Sequence, residues 1–209
     1  MDWKDYFDLL VGWKKLPAYR LELRIDSFIG YYLCEIVSYF TEKEIIEIIP
    51  EFPIKKEQNN LSNRVDFLLI SKEGPHYLVE VKTDSKSRSK RQDDCLKKAK
   101  KNRLEKLVND INSIYKKSDE KDKYRHLIEK LKEKNIINIK DNDKLVFEFN
   151  KNKNKDLEII YVQPSKNEKD HIIDFNEISE WIFDNKIKDK DNCEFEKELC
   201  EKLRKWKED

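Results

Sequence analysis

Asp66, Glu80 and Lys82 are the residues whose types and spacing could do chemistry in this 209-residue chain. Asp66 lies inside the apolar run Val65-Asp66-Phe67-Leu68-Leu69-Ile70. A carboxylate among residues fit for a core is costly unless it is paired or bound to a cation. Glu80 and Lys82 stand two residues apart in the alternating segment Tyr77–Thr83, so they share one face of a strand. A hairpin turning near Gly74 would bring Asp66 level with Glu80, and three charged groups would then converge on one side of a small sheet. Two carboxylates at short range repel. A hard cation such as Mg²⁺ (or Mn²⁺) removes that repulsion and binds through one or two carboxylates, water and substrate phosphate. Such an ion activates water and stabilises charge on a phosphoryl oxygen. Lys82 would orient the water or stabilise the growing negative charge. The plainer alternative is an exposed Glu80–Lys82 pair, worth little, with Asp66 capping a strand. In a chain that is 42% charged, a Glu-x-Lys triplet alone is weak evidence.

The elements that must position these residues follow from periodicity. Met1–Pro17 reads as a helical lead-in anchored by Trp3, Phe7 and Trp13. Ala18–Phe40 carries apolar residues at three- and four-residue spacing, the mark of a helix. Ile45–Ile54 reads as a strand, bent or at a sheet edge because Pro50 and Pro53 cannot donate to a ladder. Val65–Ile70 and Tyr77–Thr83 read as the arms of a hairpin. A long helix follows from near Arg88 to Lys117 and a second near Lys121–Lys134. Leu145–Phe149 and Leu157–Val162 read as strands. Phe175–Phe183 and Phe195–Trp206 read as helices. The expected fold is α/β, with a mixed central sheet flanked by helices. It is expected as one domain: a core of about 18–117 and 157–183, an insertion of about 118–156, and a C-terminal helix of about 193–208.

Arg64-Val65-Asp66-Phe67-Leu68, followed by Tyr77-Leu78-Val79-Glu80-Val81-Lys82-Thr83-Asp84, resembles the signature of the PD-(D/E)XK nuclease superfamily. That signature is an acid ending the second core strand, then Glu-x-Lys within the third. The resemblance covers about Ala18–Gln92 and Leu157–Val162, and Val65 stands where the Pro of the family name would be. It implies a restriction-endonuclease-like α-β-β-β-α-β core. It also implies Asp66, Glu80 and the Val81 carbonyl as metal ligands, with Lys82 as the catalytic lysine. RecB-like members add a Gln on the following helix, and Gln92 stands in that place, although the Tyr often found four residues later is replaced by Leu96. Many members also place an acid on the first helix. Glu22 falls within the apolar stripe of that helix, Asp26 on its edge and Glu35 on the other side, so Glu22 ranks first. Ion pairs with Arg20 or Arg24 are the plainer role for any of them.

The expected activity is therefore metal-dependent hydrolysis of nucleic-acid phosphodiesters, with DNA as the expected substrate. The alternative is a nucleic-acid-binding or assembly protein that keeps the fold without turnover. Ser85–Arg103 holds nine cations against two carboxylates, a local balance of +7 in a chain of net charge +1. Arg88, Lys90, Arg91, Lys97 and Lys101 are the candidate phosphate contacts. A merely solvated helix face is the plainer reading. Cys34, Cys95, Cys193 and Cys200 have neither CxxC nor zinc-finger spacing, which fits free thiols in a reducing cytoplasm. Met1-Asp2-Trp3-Lys4-Asp5 does not read as a signal peptide, no segment reads as a membrane span or a phosphate-binding Gly-rich loop, and a homodimer is left open. His76 shares the strand face of Glu80 but lies at its far end, so it is read as structural.

Overall fold

A computed structural model describes residues 2–14, 20–56, 62–84, 88–141, 146–166, 170–188, 190 and 193–207. Five strands form one mixed sheet flanked by helices: β1 (Ile45–Lys55), β2 (Ser62–Ser71), β3 (His76–Val81), β6 (Leu157–Gln163) and β7 (Ile172–Asp174), in that order. The pairs β1–β2 and β2–β3 are antiparallel, and β6–β7 is parallel. The His76 N–H donates to the Asp156 carbonyl (2.9 Å) and the Lys82 N–H to the Val162 carbonyl (2.7 Å). Both bonds keep the same 80-residue offset, which is parallel pairing of β3 with β6. All six residues of β3 are buried, as a strand with neighbours on both edges and cover on both faces must be. The chain divides into two compact units.

The unit of Lys43–Val79 and Lys90–Ile159 holds β1, β2 and most of β3. β1 is the edge strand, as its two prolines require, and Glu51 between them takes a left-handed φ of 52°. β2 registers on β1 with Phe52 opposite Val65, and on β3 with Phe67 opposite Val79. The β2–β3 turn contains Gly74 at φ +85°. His76 closes this end of the hairpin. Its Nδ1 accepts from the Ser71 N–H (3.1 Å), which leaves Nε2 to donate to the Lys153 carbonyl (3.0 Å). The structural reading of His76 fits this geometry.

Helix α3 (Lys90–Lys117) packs on β1 and β2 through Leu96, Ala99, Leu104, Leu107, Val108, Ile111 and Ile114. It breaks at Arg103 (φ 56°, ψ 167°), whose guanidinium pairs with Asp156 at 3.0 Å. Helix α4 (Lys121–Glu133) buries Ile128 and Leu131. Lys130 reaches buried Glu47 at 3.2 Å and Lys134, just beyond the helix, reaches it at 2.5 Å. Burial pushes the Glu47 carboxyl up, and the two lysines outweigh it, so its pKa ends below the usual value. β4 (Ile137–Asp141) and β5 (Val146–Phe149) form a separate antiparallel pair. β4 and β7 are strands that the sequence periodicity does not predict. Each offers five residues or fewer, too little alternation to register.

The unit of Met1–Glu42, Glu80–Ser89 and Ile160–Asp209 is built mainly of helices: α1 (Trp3–Lys14), α2 (Glu22–Thr41), α5 (Phe175–Ile182) and α6 (Glu194–Lys207). Its core joins the two ends of the chain. Trp3, Phe7, Phe28, Phe195 and Trp206 form an aromatic cluster, with Trp3–Phe195 centroids 4.8 Å and Phe28–Phe195 centroids 5.3 Å apart. Lys202, 2% exposed, bonds Asp8 at 2.5 Å, and the Tyr32 hydroxyl donates to Glu196 at 2.7 Å. Asp174 and Glu177 make a reciprocal capping box at the start of α5, where the sequence places the helix.

Candidate functional site

Glu80 and Lys82 close β3 and open the segment that follows it. Alternation puts both on one face, and the structure joins them: Lys82 Nζ stands 2.6 Å from Glu80 Oε1. Glu80 is 1% exposed and Lys82 9%. The pair is therefore no surface salt bridge. Two charges held out of water lose several kcal/mol of hydration each, on the order of what their attraction returns. Such a pair adds little to stability, which makes it a candidate for function.

The same unit carries further polar groups on the neighbouring strand and on the segment after β3. The Lys82 N–H binds the Val162 carbonyl, and the next residue of β6 is Gln163, 2% exposed. Its Nε2 donates to the Ser165 carbonyl at 2.6 Å, which fixes the amide and turns Oε1 the other way. Among the described residues no donor reaches Gln163 Oε1. A buried acceptor without a donor is an uncommon and costly feature. Gln163 stands in no motif, and its one signal in the sequence is an amide closing the apolar strand Leu157–Val162 just before Pro164.

Arg88 behaves differently from its expected role as an open phosphate contact. Its guanidinium lies 3.8 Å from the centroid of the buried Tyr161 ring and pairs with Asp170 at 2.7 Å. A stacked, ion-paired and largely covered arginine anchors β6 to the segment after β3 before it can serve a ligand. Neither Tyr161 nor Asp170 lies in a motif, so the sequence gives no sign of this role.

The remaining candidates sort by element. Asp66 lies half-buried on β2 between buried Val65 and Phe67. It immediately precedes Phe67, whose partner Val79 immediately precedes Glu80. Val81 is buried. Gln92 is half-buried in the first turn of α3, where Lys90, Arg91, Lys97 and Lys101 are exposed. Of the helix acids, the Glu22 side chain lies outside the described residues. Asp26 is half-buried and its Oδ1 accepts the Ser27 N–H at 2.6 Å. Glu35 is exposed and bound to Lys186 at 2.7 Å, the plain ion-pair role, though with a different partner.

Among the described residues no group of three or more His, Cys, Asp or Glu side chains gathers as a metal centre. The donor set at issue is two carboxylates and a main-chain carbonyl. Those are hard oxygens, suited to Mg²⁺ or Mn²⁺ completed by water and phosphate rather than to an all-protein cage. All four cysteines are free thiols. No described helix is long and apolar enough to cross a membrane. Compared with known proteins, the chain matches no family model, no curated protein and no solved structure.

Proposed function

We propose that the protein is a divalent-metal-dependent hydrolase of nucleic-acid phosphodiesters, with DNA as its substrate, on a restriction-endonuclease-like core. The observation that carries this is the buried Glu80–Lys82 pair at 2.6 Å on the central strand of the sheet. A carboxylate and an ammonium kept from water, two residues apart, are what the chemistry needs and what stability alone does not favour. The element order α2-β1-β2-β3-α3-β6, with the β4–β5 pair between the last two, supports the same reading.

In this reading Asp66, Glu80 and the Val81 carbonyl hold Mg²⁺ or Mn²⁺, which supplies Lewis acidity toward the phosphate and a water. Glu80 also fixes the position of Lys82 Nζ. Lys82 places a compact positive charge where the phosphoryl oxygens gain negative charge, which favours the transition state over the bound substrate. Gln92 and Glu22 are the secondary candidates. Gln163, with its fixed amide beside the Lys82–Val162 bond, offers an acceptor to a bound water or hydroxyl.

One observation favours the second reading, a nucleic-acid-binding or assembly protein without turnover. Lys82 already neutralises Glu80, so the pair is electrically closed without a metal. Cleavage of single- and double-stranded DNA and RNA, with Mg²⁺, Mn²⁺ or EDTA, decides between the two. Divalent-dependent cleavage that disappears in Glu80→Gln supports the hydrolase. Tight nucleic-acid binding with no cleavage under any condition leaves the binding protein.

A further inference from the structure

Beside α3, within one unit, the end of β1 and the start of β2 form an open cleft of about 520 Å³. Lys55 and Lys56 line it from β1 and its end, and Lys90, Arg91 and Lys98 line it from α3, with Asp94 the one carboxylate among the described lining residues. Among the described residues Lys55, Lys56, Lys90 and Arg91 make no ion pair. Further along the same helix the pattern differs: Arg103 is bound to Asp156 and Lys106 to Asp110. Cations that outnumber the carboxylates in one concave site repel one another and raise the local concentration of anions. The helix also separates its charges. Lys97, Lys100 and Lys101 are exposed but do not line the cleft.

We infer that this cleft holds the sugar–phosphate backbone of the nucleic acid, through Lys55, Lys56, Lys90, Arg91 and Lys98, and that Lys97 and Lys101 take no part. The inference rests on the hydrolase reading for its choice of polyanion. It extends the expected contact set to the far wall of the cleft and removes part of the helix from it. The lining chemistry favours backbone over bases. Among the described lining residues no aromatic side chain is present to stack on a base, and the amides of Asn63 and Asn102 are suited to phosphate and sugar oxygens. Recognition of this kind is indifferent to sequence and steep in salt.

The test compares two full-length variants of equal charge change, Lys56→Gln/Arg91→Gln in the cleft and Lys97→Gln/Lys101→Gln outside it. All four side chains are exposed or half-buried, so the fold is retained in both. Anisotropy of labelled single- and double-stranded DNA is measured in EDTA across a KCl series, with polyglutamate as a second polyanion. The cleft variant should bind at least tenfold more weakly. Its slope of log affinity against log salt should shrink by about 1.4 on single strands and about 1.8 on duplex, two contacts at roughly 0.7 or 0.9 each. The outer variant should keep the wild-type slope. Equal losses in the two variants, or a larger loss in the outer one, would overturn the cleft assignment. Polyglutamate bound as tightly as DNA would overturn nucleic acid as its ligand. Binding in EDTA does not depend on turnover, so a protein that never cleaves still tests the cleft.

Discussion

Lys82 bears the most direct test of the proposed chemistry, and burial changes how that test must be read. For an exposed pair, removing the lysine would cost about 0–1 kcal/mol. With Glu80 1% and Lys82 9% exposed, Lys82→Met takes the paired ammonium away from a buried carboxylate, and stability should fall by about 3–5 kcal/mol whether or not the residue is catalytic. Loss of activity in that variant alone would prove nothing. The double variant Glu80→Gln/Lys82→Met should recover most of the stability, as measured by urea denaturation. Metal affinity then separates the roles. In the hydrolase reading Mn²⁺ binding by calorimetry holds or tightens in Lys82→Met, because a repelling cation is gone, and is lost in Glu80→Gln and Asp66→Ala. Single-turnover cleavage by folded Lys82→Met at saturating metal should be at least about 10²-fold slower, the scale for losing one electrostatic donor. Lys82→Arg should not restore it, because a planar fork does not replace a point charge. A rate within threefold of wild type would end the catalytic role of Lys82. The types and spacing of these residues were legible in the sequence. Their burial was not, because Tyr77, Val79 and Val81 announce one covered face, and alternation alone says nothing of cover over the face of Leu78 and Glu80.

At the scale of elements, the hairpin β2–β3 was legible because each arm alternates and Gly74 marks its turn. Gly74 sits at φ +85°, where a side chain is strained, and a Cβ there would meet Lys43 Cδ at 3.3 Å. The lysine stem can give way but the backbone cannot, so Gly74→Ala should lower stability by about 1 kcal/mol in urea melts. β4 and β7 were illegible because they are short: five and three residues hold too little alternation to register. The same hairpin carries a pH dependence. His76 is fully buried, and burial holds its pKa below the ordinary value of about 6.5. Below that pH the unfolded chain takes up a proton that the folded chain refuses. Stability present above about pH 6.5 is therefore lost as pH falls through that value. Urea midpoints should drop between about pH 7.5 and 5.5 in the wild type, and His76→Gln should flatten the profile in that window. An unchanged slope in the variant would assign the effect to other groups.

At the scale of the whole molecule, each unit is woven from separated stretches of chain, which no local pattern announces. Trp3, Phe7 and Phe195 could be read as anchors, but nothing near them in sequence says that they anchor one another. In the structure Phe7 is fully buried and its ring lies 5.6 Å from Phe28, 5.9 Å from Phe195 and 6.5 Å from Trp206. Residues 80–89, which carry Glu80 and Lys82, belong to the unit that this cluster stabilises. Phe7→Ala should remove about 3–5 kcal/mol from it, transfer and cavity together. Proteins open in cooperative pieces, and amide exchange reads the opening of each. Native-state exchange of Phe7→Ala should therefore show the Lys82 amide, bonded to the Val162 carbonyl, losing protection together with the amides of α6. The amide of Leu69, in the β1–β2 ladder of the other unit, should keep more of its protection. Mn²⁺ affinity should weaken in the same variant although Phe7 lies on α1 and contributes no ligand. Equal loss of protection at Lys82 and Leu69 would mean that the chain opens as one piece, and the proposed site would then owe its order to the whole fold rather than to the packing of the two chain ends.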